Sequence, residues 1–323
     1  MLGLDPAECD YKVIANGSYW RLRRYSGPTS RTSLLIVAGP IKRPYIWDLA
    51  PPVSAIRYCL EHQFGVHLLE WATPTEGGTN AGIDEYAEVI AECVVRIADE
   101  TEGKKLFLVG HSLGGTLAAI AAALQPKSIR GLALLAVPLC FEPGRSQFAD
   151  AIASMDPSTL TEAEVVPGSF LSQISAVASP ETFIWSRMRD AALSLADPVA
   201  VGIHARVERW ALDEVPLPGR LVYQIFQWLY RENRFCHGIL RVGGRTIGPS
   251  DVDVPTIAVV NIADEIANPA SIQPFLDAMP TRDVRLIEYP GESGVALQHV
   301  AVLVGRKARA VVWPQIAAWL MAR

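Results

Sequence analysis

One stretch constrains this chain more than any other. Residues 106–115 read Leu-Phe-Leu-Val-Gly-His-Ser-Leu-Gly-Gly, and an Ala-rich run continues to Leu124. An apolar strand, a turn that admits only small residues beside Ser112, and a helix are the elements this order fits. G-x-S-x-G in that setting raises a serine hydroxyl on a tight strand-to-helix turn. The first amide groups of the helix point back toward the turn, where they can hold negative charge. The reaction class implied is acyl transfer through a serine ester. Residues 106–124 are also the most apolar window, but His111, Ser112 and three glycines interrupt it, so a buried strand and helix explain it better than a membrane span.

The flanking sequence supplies the rest of a parallel sheet. Tyr19 to Tyr25 has partial alternation and suits an edge strand of an opening hairpin. Ser33 to Ala38, Val66 to Trp71, Leu106 to Val109 and Leu132 to Val137 read as buried strands. Between them, Val53 to Gln63 and Ile83 to Glu100 read as helices. The second places Tyr86, Val89, Ile90, Cys93, Val94 and Ile97 on one face. The series predicts an α/β fold, a mainly parallel sheet covered on both faces.

After Cys140 the pattern changes. From Phe141 to about Gly248 no short apolar strands recur, prolines interrupt, and helical stretches such as Arg220 to Arg231 carry large aromatic residues. We read residues 141–250 as a helical cap inserted into a core made of residues 1–140 and 251–323. Strands resume at Pro255 to Val260 and Val284 to Tyr289, and Ala308 to Met321 reads as a closing helix.

A chain of 323 residues that is 50% hydrophobic can bury one large core. Its net charge of -5, without a dominant basic cluster, gives no footprint for nucleic acid. The opening Met1-Leu2-Gly3-Leu4-Asp5-Pro6 lacks the basic-then-apolar pattern of a secretory leader. Cys9, Cys59, Cys93, Cys140 and Cys236 show no C-x-x-C spacing, and five reduced thiols in a cytoplasmic protein are expected. No histidine pairing suggests a metal site, and no cofactor is expected. The expected partner is a small-molecule or oligomeric ester substrate. No integral membrane span is expected, and a homodimer is compatible with the sequence.

A serine needs a base, and the base an orienting acid. On a sheet of this kind they follow in the order Ser, acid, His. Asp264 lies just beyond the strand that ends near Asn261, with Glu265 as its nearest competitor. Asp251 and Asp253 precede that strand and fall at the wrong end of the sheet. Past Tyr289 the only histidine is His299, which elimination makes the base. His111 is expected to pack behind the serine. The oxyanion hole needs two backbone N–H donors, expected from Leu113 and from Ile41, since Pro40 has none.

Several segments resemble those of the polyhydroxyalkanoate synthases, within the α/β-hydrolase superfamily. Arg43-Pro44-Tyr45-Ile46-Trp47-Asp48-Leu49-Ala50-Pro51 is similar to the family's N-R/K-x-Y-I-L-D-L-x-P, and Leu68-Leu69-Glu70-Trp71-Ala72-Thr73-Pro74 to its strand followed by D-W-x-x-P. Asp264 to Pro269 and His299 to Gly305 resemble its D-H-I-x-x-P and G-H-I-x-x-x-x-G. The likeness spans roughly residues 19–140 and 208–320. It implies an α/β-hydrolase fold and places the acid at Asp264 and the base at His299. Three departures stand out: the family's nucleophile is a cysteine where this chain has Ser112, Glu265 stands where it often has His, and Gln298 where it has Gly. A serine ester lies lower in energy than a thioester, and water attack on it is ordinary serine-hydrolase chemistry. The expectation is therefore a serine carboxylic ester hydrolase for aliphatic or hydroxyacid esters. An acyltransferase, synthase-like polymerase or thioesterase using acyl-CoA is the alternative, and a non-catalytic granule-associated protein a third reading.

Overall fold

The computed structural model describes residues 5–27, 32–161 and 164–323; the first four residues, read above for a leader, lie outside them. The chain opens with β1 (Tyr11–Asn16), β2 (Trp20–Tyr25) and β3 (Ser33–Val37). Then α1 (Ala55–Glu61), β4 (Gly65–Trp71), α2 (Ile83–Glu100), β5 (Leu106–His111), α3 (Ser112–Leu124) and β6 (Ile129–Leu135) alternate. Next come α4 (Gln147–Ser154), β7 (Val165–Val166), α5 (Gly168–Ala178), α6 (Ser186–Ser194), α7 (Pro198–Ala211), β8 (Leu217–Pro218) and α8 (Gly219–Gln224). A π-helical turn at Ile225–Arg231 and the hairpin of β9 (Leu240–Val242) and β10 (Arg245–Ile247) follow. The closing elements are β11 (Thr256–Asn261), α9 (Gln273–Asp277), β12 (Val284–Tyr289), α10 (Ala301–Val304), α11 (Arg306–Val311) and α12 (Trp313–Met321).

Eight strands make one sheet in the order β1-β2-β4-β3-β5-β6-β11-β12. From β4 to β12 every pairing is parallel, while β1 and β2 add on antiparallel. The central strands are buried along their whole length because both faces are covered. On one face α2 and α3 pack Tyr86, Ile90, Ile97, Leu117 and Ile120 against the sheet. On the other, α1 and α10 to α12 contribute Ile56, Val302, Trp313 and Trp319. The expected α/β class is borne out, and the face foreseen for α2 is the buried one.

Four local expectations need correction. β2 is not an edge strand: it lies between β1 and β4, and its Arg23 faces inward. Glu70 on β4 and Glu8 hold that guanidinium at 2.7 Å each, so the arginine is buried against two carboxylates. Short strands do occur between Phe141 and Gly248, but β7 to β10 pair only among themselves and stay outside the main sheet. The closing helix is two helices, α11 and α12, with the break at Val312 just before Pro314, whose ring excludes an unbroken backbone ladder.

The fourth correction concerns the thiols. Cys140 and Cys236 form a disulfide across 96 residues, while Cys9, Cys59 and Cys93 remain free. The two half-cystines stand where the chain leaves the α/β layers and where it begins to return, so the bond staples both ends of the helical segment. Spacing in sequence carries no trace of such a pairing. On the chain-entropy account, closing a loop of this length removes about 4 to 5 kcal/mol of freedom from the unfolded chain. Thiol titration of the unreduced protein in denaturant should therefore count three thiols rather than five. Cys236→Ser should lower the melting temperature, and a count of five would show the bond absent.

His67 on β4 is buried, and burial pushes its pKa down to about 4 despite Glu100 at 4.0 Å. Below the ordinary histidine range the unfolded chain takes up a proton that the native ring refuses. The neutral ring's contribution is therefore fully present above about pH 6.5 and is lost as pH falls toward 4, at about 1 kcal/mol per pH unit. His67→Leu should flatten the melting-temperature curve between pH 6.5 and 4 by that slope. An unchanged curve would show that His67 is protonated in the native protein.

Candidate active site

Ser112, Asp264 and His299 all follow strands of the sheet at their carboxyl ends, on β5, β11 and β12 respectively, and Ile41 lies beyond β3. This is the edge where open α/β sheets gather ligands. Ser112 carries φ of +54°, the left-handed region that a non-glycine residue enters at a cost. The backbone can make that turn because Gly110 and Gly114, two residues to either side, have no side chains. A Cβ on Gly110 would stand 2.3 Å from Gly115 Cα, and one on Gly114 would stand 2.3 Å from the Val37 carbonyl oxygen. The glycines let α3 start hard against β3 and β5, which presents Ser112 at the tip.

Asp264 is buried, and its two oxygens have different partners. One accepts the Ile266 N–H at 2.9 Å, and the other accepts His299 Nδ1–H at 2.7 Å. That contact fixes the tautomer, because a carboxylate only accepts, and leaves Nε2 of His299 as a free acceptor. Nε2 is buried and makes no hydrogen bond within the protein. The acid competitors fall away on position. Glu265 points to solvent, and Asp251 caps a turn on the far side of β11 by accepting from the Gly248 N–H at 2.9 Å.

His111 takes the place expected behind the serine. Its Nε2–H donates to the His299 carbonyl at 2.7 Å, and the two rings lie 4.7 Å apart. Burial, then the neighbouring His299, pushes the His111 pKa down to about 3, so this ring stays neutral and serves as a donor that pins the His299 backbone. Gln298, the departure from the resembling family's glycine, is structural. Its side chain donates to the Glu292 carbonyl at 2.7 Å, while its own carbonyl accepts from Asn261 Nδ2 at 2.7 Å. Asn261 thus ties the loop carrying the acid to the loop carrying the histidine.

Ser112, Leu113, His111, His299 and Ile41 line one cavity of about 210 Å³. Its walls are mostly apolar. Ile46 and Trp47 come from the α/β layers, and Phe148, Phe183 and Tyr230 from the segment between β6 and β11. The cations on its rim are paired: Lys42 with Glu214 at 3.0 Å, Arg187 with Glu208, and Arg43 with Asp213 at 3.6 Å. Sequence reading did not foresee these wall residues, since nothing in their periodicity separates a cavity wall from ordinary helix packing. Among the described residues no cluster of His, Cys, Asp and Glu could hold a metal ion, and no helix is long and apolar enough to cross a membrane.

Comparisons with known proteins agree with this architecture. The family described as the alpha/beta hydrolase fold matches residues 45–183. A poly(3-hydroxyalkanoate) polymerase subunit of Haloferax mediterranei is 28% identical over all of this chain, and one of Haloarcula marismortui is 25% identical over 90% of it. The chain spans 65% and 61% of the length of those two relatives. A third such subunit, of Thiocystis violacea, is 24% identical over 99% of this chain and 89% of its own length. Among solved structures, a monoacylglycerol lipase of Paleococcus ferrophilus superposes with a TM-score of 0.58 at 18% identity, covering 94% of this chain and 98% of its own. A thioesterase domain from the curacin biosynthetic pathway gives a TM-score of 0.54 at 16% identity, covering 97% of this chain and 99% of its own. The chain is an α/β-hydrolase-fold protein that resembles the poly(3-hydroxyalkanoate) polymerase subunits in sequence.

Proposed function

We propose that the protein is a serine-dependent acyl-ester hydrolase in which Ser112 is the nucleophile, His299 the base and Asp264 its orienting acid. The observation that carries this reading is the buried His299. Asp264 holds its Nδ1–H, and its Nε2 is left unpartnered in the cavity that Ser112 shares. Ser112 Oγ attacks the ester carbonyl as Nε2 accepts its proton. The tetrahedral oxyanion is held by the N–H groups of Leu113 and Ile41. Nε2–H then protonates the leaving alcohol, and the acyl group remains on Ser112. Water enters, gives its proton to Nε2 and attacks the ester, and collapse of the second tetrahedral intermediate releases the acid and the free serine. Asp264 stays ionised throughout and stabilises the imidazolium.

Residues 141–250 act in this reading as a cap, because Phe148, Phe183 and Tyr230 roof the acyl site. The cavity is only modestly larger than the roughly 150 Å³ void that admits benzene in an engineered core, which supports acyl groups of about four to eight carbons. The second reading is transfer of a hydroxyacyl group from a coenzyme A thioester to a hydroxyl acceptor, and the similarity to polymerase subunits favours it. Ser112 argues the other way. It replaces the cysteine that the resembling family uses, and an acyl group placed on oxygen loses the thioester's driving force.

Turnover of p-nitrophenyl butyrate tests the proposal. Ser112→Ala should lower kcat by about 10⁴- to 10⁶-fold and Asp264→Asn by about 10⁴-fold. A folded Ser112→Ala variant with wild-type turnover would sink it. Across the p-nitrophenyl series kcat/KM should peak between butyrate and octanoate and fall steeply at palmitate. With 3-hydroxybutyryl-CoA, free acid is expected, and polymer appearing ahead of free acid would move the assignment to the second reading.

A further inference from the structure

His299 sits on the loop that follows β12, and this loop is held from an unexpected side. Asp190, on α6 within the helical segment, is a buried carboxylate whose partners among the described residues are two backbone N–H groups and the His204 ring. One oxygen accepts the Gly294 N–H at 2.8 Å, and the other accepts the Ala296 N–H at 2.7 Å and His204 Nδ1–H at 2.8 Å. Gly294 and Ala296 have φ of +85° and +59°. A left-handed alanine three residues before the histidine does not persist unless its surroundings enforce it. Packing adds to the restraint, since a Cβ on Gly294 would stand 2.7 Å from Ala200 Cβ on α7. His204, also on α7, locks the carboxylate in turn, and its Nε2 faces Glu208, the partner of Arg187 on the cavity wall.

We propose that Asp190 is a positioning residue: through it, α6 and α7 hold the backbone of residues 294–296 so that His299 Nδ1 meets Asp264 while Nε2 stays free at the cavity that Ser112 lines. The inference rests on His299 being the base. It makes the helical segment part of the catalytic frame as well as the roof of the acyl site. No substrate contact is involved, so the loss of Asp190 acts on kcat and leaves acyl binding in place. A displacement of about 1 Å at a general base costs on the order of 100-fold in rate.

The test is p-nitrophenyl butyrate kinetics on Asp190→Ala, Asp190→Asn and Ser112→Ala, with folding monitored by circular dichroism. Asp190→Ala is expected to lower kcat about 100-fold, with KM within about three-fold of wild type, and to slow fluorophosphonate labelling of Ser112 in proportion. Asp190→Asn keeps an acceptor for the Gly294 N–H but turns an amide group toward the two former donors, the Ala296 N–H and His204 Nδ1, of which only the imidazole can switch tautomer and accept. It should recover part of the loss, and it carries the test if the alanine variant does not fold. Wild-type kcat in either folded variant, or a loss confined to KM, would overturn the proposal while Ser112→Ala remains inactive. Full activity in Ser112→Ala would instead overturn the reading beneath it.

Discussion

The structure depends on how closely α3 approaches the sheet. Gly110, Gly114 and Gly115 leave no side chain between the start of α3 and the backbones of β3 and β5, so the chain reverses within one residue. Ser112 takes up that reversal at φ +54°. Its strain is sustained by β3 and β5, buried along their whole length, and β6, buried at all but Arg130, which cannot shift without opening the core. Every other member of the site is located relative to that tip. Asp264 and His299 reach it because β11 and β12 run parallel to β5 and β6 and end at the same edge.

A sheet edge supplies direction but not walls. Walls come from the loop after β3, through Ile46 and Trp47, and from the segment between β6 and β11, through Phe148, Phe183 and Tyr230. The ties that hold the segment down include three of different chemistry. A disulfide joins its ends, Lys42 joins Glu214 and Ser172, and Asp190 joins the histidine loop. Lys42 is largely buried, and desolvation lowers its pKa against the opposing pull of Glu214. The charge that lines the cavity is thus committed to holding the segment in place, and the space above Ser112 is left to apolar chemistry.

What could be read from sequence follows from the range of the interactions involved. β5, the turn and α3 are adjacent in sequence and governed by local periodicity and glycine content, so Leu106 to Leu124 was legible almost residue by residue. The positions of Asp264 after β11 and His299 after β12 were legible through chain order and elimination, because few acids and one histidine stand after those strands. The inner position of β2 was missed for the opposite reason: its Arg23 is made internal by Glu8 and Glu70, and neither is marked as its partner by spacing. The pairing of Cys140 with Cys236 and the grip of Asp190 on Gly294 and Ala296 span 96 and about a hundred residues. Such contacts exist only once the helical segment has folded back, and no window of sequence contains them.

The exchange of sulfur for oxygen can now be weighed against the site around it. A thiolate can form with help from a base and then wait; a serine alkoxide cannot, so on the proposed reading proton transfer to Nε2 must accompany attack. That places a stricter demand on the position of His299 than a cysteine would. The restraints on this histidine fit the demand: Asp264 on Nδ1, His111 on the backbone carbonyl, Asn261 on the preceding carbonyl, and Asp190 on the loop before it. On the proposed reading, the acyl-oxygen ester is then committed to whichever hydroxyl first reaches Nε2. In a cavity of this size, roofed by Phe148, Phe183 and Tyr230, a water molecule meets that requirement with far less displacement of the roof than a growing chain end. The nucleophile and the volume above it thus argue for the same acceptor from independent physical grounds.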